Sequence, residues 1–168
     1  MLLVASSLHE LSFPKLMEVY AESNRENGEY RYPGEPTDRQ LALAEEGFRD
    51  YLSQVFFTTE NARYFILVEA GRYVSALRLE PYEDGLLLEA LETAPEFRKK
   101  GYAAALIEKT QAYLEKQGSI RLYSHVSRNN IASLRTHEKR GFRQILDYGR
   151  YIDGSINRRT VTLLYTTE

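Results

Sequence analysis

A short basic segment in the middle of the chain has the composition of an anion-binding site. Arg98, Lys99 and Lys100 precede Gly101, and a helical pattern begins directly afterwards at Tyr102. The first N–H groups of a helix have no intrahelical acceptor and carry partial positive charge from the helix dipole. Glycine lets the backbone approach a ligand closely, so the segment predicts a site for a phosphate or pyrophosphate group.

The segment differs from two common nucleotide-binding loops. No Lys-Ser or Lys-Thr pair follows Gly101, which excludes a Walker A loop, and the chain contains no G-x-G-x-x-G sequence. By itself, such a segment is equally typical of an ordinary helix start.

Charge is unevenly distributed along the chain. Residues 1–97 contain 8 Lys and Arg against 18 Asp and Glu, whereas residues 98–143 contain 11 against 3, and the net charge is −2. The near-neutral total argues against a nucleic-acid partner, and the basic block predicts contact with an anionic ligand. A solvated surface that happens to be lopsided is the alternative.

The composition is that of a folded globular chain. With 168 residues, 43% hydrophobic and 27% charged, it is expected to form a single domain over 1–168. The absence of cysteine excludes a thiolate nucleophile and sulfur-based zinc sites. Met1–Ala5 is too short for a signal sequence and no apolar run approaches about 20 residues, so no membrane partner and a cytoplasmic localisation are expected.

Hydrophobic periodicity predicts a mixed α/β sheet with helices on its faces. The predicted elements are a strand over 1–5, a helix after Ser12, a helix over 37–55, strands over 64–68, 73–79 and 86–93, a helix over 102–117, a strand over 120–126, a helix over 131–140, and strands over 142–152 and 160–166. The strand over 86–93 and the strand over 120–126 are expected to be parallel. Between the first two helices, 22–36 has no periodicity and is predicted to be a functional loop.

Two motifs, in this order, resemble the GCN5-related N-acetyltransferases (GNAT superfamily). Residues 98–103 match the cofactor loop Arg/Gln-x-x-Gly-x-Gly/Ala. Residues 130–142 match the pattern Asn-x-x-Ala/Ser…Tyr-Glu-Lys-x-Gly-Phe, with His137 in place of the tyrosine. The resemblance covers about Leu86 to Phe142 and implies the GNAT fold, a mixed and mostly antiparallel sheet of about seven strands with a central parallel pair and about four helices.

The resemblance implies acetyl-CoA as co-substrate, with its pyrophosphate on the amides from Lys99 to Ala104 and its pantetheine alongside Leu91 to Thr93. The implied cofactor-binding residues are Leu91, Thr93, Arg98, Lys99, Lys100, Gly101, Tyr102, Ala103, Ala104 and Asn130. No metal is expected, because the three histidines lack the spacing of metal ligands.

Three residues are candidates for catalysis. Glu89 is the preferred general base, since relatives often place a base on this strand, and His125 at the end of the next strand is the competing candidate. His137 is expected to protonate the leaving thiolate in place of the family's tyrosine. The alternatives are a solvated carboxylate, a structural imidazole and a surface histidine, respectively. A backbone N–H near Thr93, where the family's strand bulges, is expected to bind the oxyanion.

The acceptor is expected to lie against the segment that joins the first two helices. Glu26, Glu29, Tyr30 and Tyr32, together with Glu35, suit a cationic amine through charge and cation–π contact. The last hairpin is expected to contribute Tyr148, Tyr151 and Asp153.

The resulting hypothesis is an N-acetyltransferase that transfers an acetyl group from acetyl-CoA to a primary amine of a small molecule or peptide by direct sequential transfer. The resemblance also implies a homodimer, since relatives often dimerise. The alternative is a catalytically silent acyl-CoA-binding regulatory module of the same fold, which the missing tyrosine favours.

Overall fold

The computed structural model describes residues 1–168, which form five α-helices and nine strands. In chain order these are β1 (Leu2–Ala5), α1 (Phe13–Val19), α2 (Ala21–Arg31), α3 (Thr37–Gln54), β2 (Arg63–Glu69), β3 (Arg72–Tyr82), β4 (Gly85–Thr93), α4 (Tyr102–Glu115), β5 (Arg121–Ser127), α5 (Ile131–Lys139), β6 (Arg143–Leu146), β7 (Gly149–Arg150), β8 (Ile156–Asn157) and β9 (Thr160–Thr166). No helix is both long and apolar enough to cross a bilayer.

Seven strands form one sheet in the order β1-β2-β3-β4-β5-β9-β6. Every neighbouring pair is antiparallel except β4 and β5, which are parallel. This confirms the predicted fold class, a mostly antiparallel sheet of about seven strands with a central parallel pair. The helices number five rather than about four, because α2 occupies the segment predicted to be a loop.

The central parallel pair separates halfway along its length. Pairing runs from Leu86 opposite Leu122 to Leu88 opposite Ser124, although both strands continue beyond this point. On the other side of β4, the register with β3 shifts opposite residues 76–78, and Ala90 has a φ of 50°. Such an irregularity is a β-bulge, which bends a strand away from its neighbour. The bulge lies at Ala90, between Glu89 and Glu92, and thus close to Thr93, near which the resemblance implies it.

The sheet is covered by helices on both faces, because its strands present apolar side chains alternately to each side. One core contains Leu88, Leu122 and Val126 packed with Leu106 and Ile107 of α4. The other core lies on the face covered by α1 and α3. Its members include Leu16, Leu52, Tyr64, Ile66 and Ala76.

The prediction of a loop over 22–36 was wrong for most of its length, since α2 runs from Ala21 to Arg31. This helix buries only Asn24 and Gly28, so it has no apolar stripe that periodicity would detect. It packs through close backbone approach instead. A Cβ atom at Gly28 would lie 2.6 Å from the carbonyl oxygen of Gln40 in α3.

The strand predicted over 142–152 is divided into two. β6 pairs with β9 in the main sheet, whereas β7 pairs with β8 in a separate two-stranded hairpin. At the break, Arg128 binds the side chain of Asp147, with 2.8 Å between Nη2 and Oδ1. This contact ties the connection between β6 and β7 to the end of β5.

Candidate active site

The basic segment before α4 exposes six consecutive backbone N–H groups. The first amide of α4 with a helical acceptor is that of Ala105, which donates to the carbonyl of Gly101 at 3.0 Å. The amides from Lys99 to Ala104 donate to no protein acceptor. Lys99 and Gly101 have φ angles of 61° and 81°, and amides turned in this way form a concave anion site.

Only one of the three basic side chains of this segment forms an ion pair with a carboxylate. Arg98 forms an ion pair with Glu22 of α2, and its Nε atom donates to the carbonyl of Thr93 at 3.3 Å. Lys99 and Lys100 are exposed and form no ion pair. The free positive charge therefore comes from the two lysines and the helix start, while Arg98 ties α2 to the end of β4.

The remaining predicted cofactor residues surround the gap between β4 and β5. Leu91 packs against the core on the α4 side, and the hydroxyl of Thr93 lies 3.1 Å from that of Ser75. Asn130 caps α5 by accepting the N–H of Ser133 at 3.1 Å. The backbone N–H of Asn130 donates to the carbonyl of Ser127 at 3.0 Å, whereas its side-chain Nδ2 has no protein acceptor and is available to a ligand.

The bulge in β4 is held by a buried chain of two tyrosines that the sequence analysis did not identify. The Tyr64 hydroxyl donates to the Tyr20 hydroxyl at 3.0 Å, and Tyr20 donates to the carbonyl of Ala90 at 2.7 Å. Both side chains are buried. Burial raises the pKa of Tyr20 well above its usual value and the pKa of Tyr64 to about 12, so both hydroxyls keep the protons that they donate.

Glu89 directly precedes the bulge residue Ala90, and its side chain belongs to a cluster of charged side chains. The Nε atom of Arg78 is 3.2 Å from Oε2 of Glu89, and both side chains are mostly buried. Glu80 of β3 is the second carboxyl of the cluster and was not identified from the sequence. Burial and the neighbouring Glu89 carboxylate raise the pKa of Glu80 to about 7.

His125 borders this cluster from β5. It is half-buried, and burial lowers its pKa, while the charge of Glu89 acts in the opposite direction. Its Nε2 atom lies 3.4 Å from the hydroxyl of Tyr82, whose proton is donated to the carbonyl of Arg150 at 2.6 Å. The imidazole of His125 is therefore neutral and lies close enough to Glu89 to interact with its charge.

His137 is buried between α5 and β5, with 1% of its surface exposed. Nδ1 lies 2.8 Å from the carbonyl oxygen of Ser133, which can only accept, so Nδ1 carries the proton. Nε2 then accepts from the hydroxyl of Ser124 at 3.0 Å. The alternative of a surface histidine is therefore wrong. The predicted proton transfer to a thiolate would require one of these bonds to break, and burial lowers the pKa of His137.

A cavity of about 510 Å³ lies between α2, α3 and the sheet, and it reaches the bulge in β4. Its lining includes Asn27, Arg31, Tyr51, Arg78, Ala90 and Glu92. None of the residues expected to border the acceptor, Glu26, Glu29, Tyr30 and Tyr32, lines it. A helix projects its side chains in all directions, and Glu26, Glu29 and Tyr30 are on the exposed side of α2.

One of the three predicted residues of the last hairpin contacts the site. The ring of Tyr151 lies 6.0 Å from the ring of His125, edge to face. Tyr148 lines a separate surface cleft, and Asp153 accepts the N–H of Ser155 within its own turn at 2.8 Å. Of the three hairpin residues expected near the acceptor, only Tyr151 adjoins a candidate catalytic residue.

The family model described as Acetyltransferase (GNAT) family matches residues 16–142. This range includes α2, the bulge, the basic segment and α5, which are the elements that form the site. No curated protein gives a significant match to the chain.

Solved structures share the fold at low sequence identity. PaiA N-acetyltransferase from Thermoplasma acidophilum, solved in complex with coenzyme A, is 14% identical, with 99% of each chain covered and a TM-score of 0.65. The ribosomal-protein-S18-alanine N-acetyltransferase from Escherichia coli is 19% identical, with 99% of this chain and 94% of that chain covered and a TM-score of 0.62. A GNAT family acetyltransferase from Elizabethkingia anophelis with acetyl-CoA bound is 13% identical over 66% of this chain and 78% of that chain, with a TM-score of 0.55.

Proposed function

This chain belongs to the Acetyltransferase (GNAT) family, whose model covers residues 16–142, and we propose that it transfers an acetyl group from acetyl-CoA directly to a primary amine. We propose that residues 1–168 act as one domain. The observation that carries the proposal is the run of six unpaired amides from Lys99 to Ala104 beside the separated ends of β4 and β5. The run begins with two lysines whose side chains form no ion pair.

The residues present fit the cofactor. The pyrophosphate of CoA needs several donors and positive charge, which these amides and the side chains of Lys99 and Lys100 offer. A Cβ atom at Gly101 would meet no atom within 4 Å, so the surface above it is open to a ligand. The pantetheine arm would follow β4 past Thr93 and Leu91 to the bulge.

Glu89 is the proposed general base, and Glu80 shares its proton. Acetyl-CoA supplies an activated acetyl group, whose bond to sulfur breaks as a bond to the amine nitrogen forms. The carboxylate of Glu89 accepts the proton that an ammonium group must lose before its nitrogen can attack, directly or through one water. Glu80 lets the pair take up or release a proton near neutral pH, since the pKa of Glu80 is raised to about 7.

We propose that the bulge stabilises the negative charge that forms on the substrate during acetyl transfer. Negative charge develops on the thioester oxygen during transfer, and backbone N–H groups are suitable donors to it. We propose that an amide next to Ala90, whose carbonyl is fixed by Tyr20, fills this role. The departing sulfur takes its proton from solvent, because both nitrogens of His137 are engaged within the protein.

The alternative of a silent CoA-binding module rests on the same histidine. A chain that lacks the family's tyrosine and holds His137 in two hydrogen bonds has no evident acid at that position. Turnover separates the two functions. Release of CoA thiol that depends on an amine supports the enzyme, whereas tight binding of acetyl-CoA without turnover across a broad amine and peptide panel supports the module.

Lys100→Glu tests the placement of the cofactor. The substitution should weaken CoA binding about tenfold, measured by calorimetry, because it replaces a charge-assisted phosphate contact by repulsion. Lys116→Glu, the same change at the other end of α4, is the matched control and should bind CoA normally. Equal affinities in the two variants would show that the pyrophosphate binds elsewhere.

A further inference from the structure

The cavity between α2, α3 and the sheet contains a guanidinium group with unused hydrogen-bonding capacity. Arg78 uses Nε to bind Glu89, and its guanidinium group also approaches the Tyr64 hydroxyl, while its two terminal nitrogens pair with no carboxylate. The Tyr64 hydroxyl donates its own proton to Tyr20, so it can only accept from the guanidinium group. The Arg78 side chain is 16% exposed and lines the cavity, which is the space that an acceptor would occupy.

Aromatic rings hold this guanidinium group in one orientation. Its carbon lies 4.9 Å from the centre of the Tyr51 ring and 5.6 Å from that of Phe56. A fixed planar group whose two terminal nitrogens pair with no carboxylate of the protein matches the geometry of a ligand carboxylate, which it binds through two parallel hydrogen bonds. The rings also shield the interaction from water, which strengthens it.

The cavity lining also includes a carboxyl group. Glu92 lines the cavity two residues beyond the bulge, and burial raises the pKa of this carboxyl. Arg31 of α2 is a second cation on the lining and has no carboxylate partner. The cavity lining thus contains two cationic groups, Arg78 and Arg31, and one carboxyl group, Glu92, a pattern that suits a ligand with both charges.

We propose that the acceptor amine also carries a carboxylate, as in an amino acid or a short peptide with a free C-terminus, and that Arg78 binds this carboxylate with Arg31 assisting. The amine then lies between Glu92 and Glu89 at the bulge. The inference rests on the proposed transfer to an amine and narrows its substrate class. An amine whose other groups are all cationic would place positive charge against Arg78, which disfavours it.

A panel of paired acceptors tests the inference on the wild-type protein. The panel contains the natural L-amino acids, a set of dipeptides, the C-terminal amide of each, and a linear polyamine, with CoA thiol release as the readout. The best acceptor should carry a carboxylate, and its amide should have a kcat/KM about 10- to 100-fold lower, the worth of a hydrogen-bonded charge pair. A polyamine or an amide as the best acceptor would overturn the inference and leave the acetyltransferase standing.

Variants identify the residues that distinguish a carboxylate-bearing acceptor from its amide. Arg78→Gln should bring acid and amide within about threefold of each other, mainly by weakening the acid. Arg31→Gln, at an exposed position, keeps the test available if Arg78→Gln does not fold, and should reduce the preference in part. Arg49→Gln is the matched control on α3, where Arg49 stacks on Phe13 outside the cavity, and should retain the full preference.

If no amine is acetylated, the proposed function fails and binding decides the inference separately. The probe is then calorimetric titration of the CoA-saturated protein with the same amino acids and dipeptides. Binding of a carboxylate-bearing member that Arg31→Gln weakens, with no binding of its amide, supports the carboxylate site. Binding of none of them, or equal binding of acid and amide, overturns it.

Discussion

Tyr20 holds Ala90 in a conformation that alanine rarely adopts. The φ angle of 50° at this residue lies in the left-handed region, which costs about 1–2 kcal/mol for a residue with a Cβ atom. The hydroxyl of Tyr20 bonds the Ala90 carbonyl and is itself bonded by Tyr64. Since the bulge turns β4 away from β5, these two hydroxyls position the strand that the acetyl group would contact.

Tyr20→Phe should lower kcat about tenfold and leave the KM for acetyl-CoA within about threefold, because it removes one hydrogen bond of about 1–1.5 kcal/mol from the bulge. Steady-state kinetics measures both constants, and Tyr30→Phe on the exposed side of α2 is the control. Glycine adopts positive φ freely, so Ala90→Gly added to Tyr20→Phe should recover part of the lost kcat. No recovery, with kcat and KM changed together, would assign the tyrosine to packing alone.

Glu80 and Glu89 titrate as a pair beside Arg78. Burial and the Glu89 carboxylate raise the pKa of Glu80 to about 7, so Glu80 takes up a proton as the pH falls below neutrality and then donates a hydrogen bond to Glu89, which competes with the amine's proton for that carboxylate. Glu80→Gln removes the group that takes up this proton near neutrality. The acid limb of the kcat/KM profile should therefore shift to lower pH in this variant.

The pH–rate profile of Glu69→Gln, at the exposed end of β2, is the control for this substitution. An acid limb that stays near pH 7 in Glu80→Gln would assign it to another group, of which His125 is the neighbouring candidate. Comparison of the kcat/KM profiles of Glu80→Gln and His125→Ala then identifies the residue whose titration causes the acid limb.

At the scale of elements, α2 encloses the cavity proposed to bind the acceptor, and the packing of this helix depends on Gly28. A Cβ atom there would lie 2.6 Å from the Gln40 carbonyl oxygen and 2.8 Å from its carbon, both in the backbone of α3. Backbone atoms cannot rotate away as a flexible side chain does. The separation of α2 and α3, and with it the width of the cavity, is therefore set by the absence of a side chain at Gly28.

Gly28→Ala should lower the free energy of unfolding by about 1–3 kcal/mol, the usual cost of overpacking. Gly47→Ala is the matched change on α3, where a Cβ atom meets nothing within 4 Å, and it should raise stability by about 0.5–1 kcal/mol through helix propensity. Denaturant unfolding measures both. Equal effects in the two variants would mean that α2 and α3 are not in close contact.

At the scale of the whole molecule, His137 links stability to pH. The side chain joins α5 to β5 through Ser124 and Ser133, and burial lowers its pKa below the ordinary value. The unfolded chain therefore takes up this proton at a higher pH than the folded protein does. The stability that the neutral histidine contributes is present above about pH 6.5 and is lost as the pH falls toward its folded pKa.

His137→Gln should consequently flatten the fall in unfolding free energy as the pH decreases below about 6.5, although it lowers stability at every pH. Unfolding by denaturant at a series of pH values measures the slope, and His9→Gln, at an exposed position, is the control. An unchanged slope in His137→Gln would assign the acid sensitivity to other groups. The slope is diagnostic because loss of packing alone lowers the free energy of unfolding by the same amount at every pH.

Local patterns determined the elements and the segment that is proposed to bind the cofactor. The periodicity of residues 86–126 predicted a strand, a helix and a parallel strand, and β4, α4 and β5 follow that order. Gly101 after three basic residues predicted a helix start with free amides, and the amides from Lys99 to Ala104 are unpaired. Both signals are short-range, because helix starts and strand alternation depend on residues a few positions apart.

Only the tertiary structure decided the acceptor side of the site. The contact of Tyr20 with Ala90 spans 70 positions, the pairing of Arg78 with Glu89 depends on the register of β3 and β4, and neither leaves a local pattern. The same holds for α2, whose packing uses a glycine and an asparagine in place of an apolar stripe. Long-range register and close backbone approach are set by the packing of whole elements, so they selected Arg78 and Glu92 for the cavity and left Glu29 and Tyr30 in solvent.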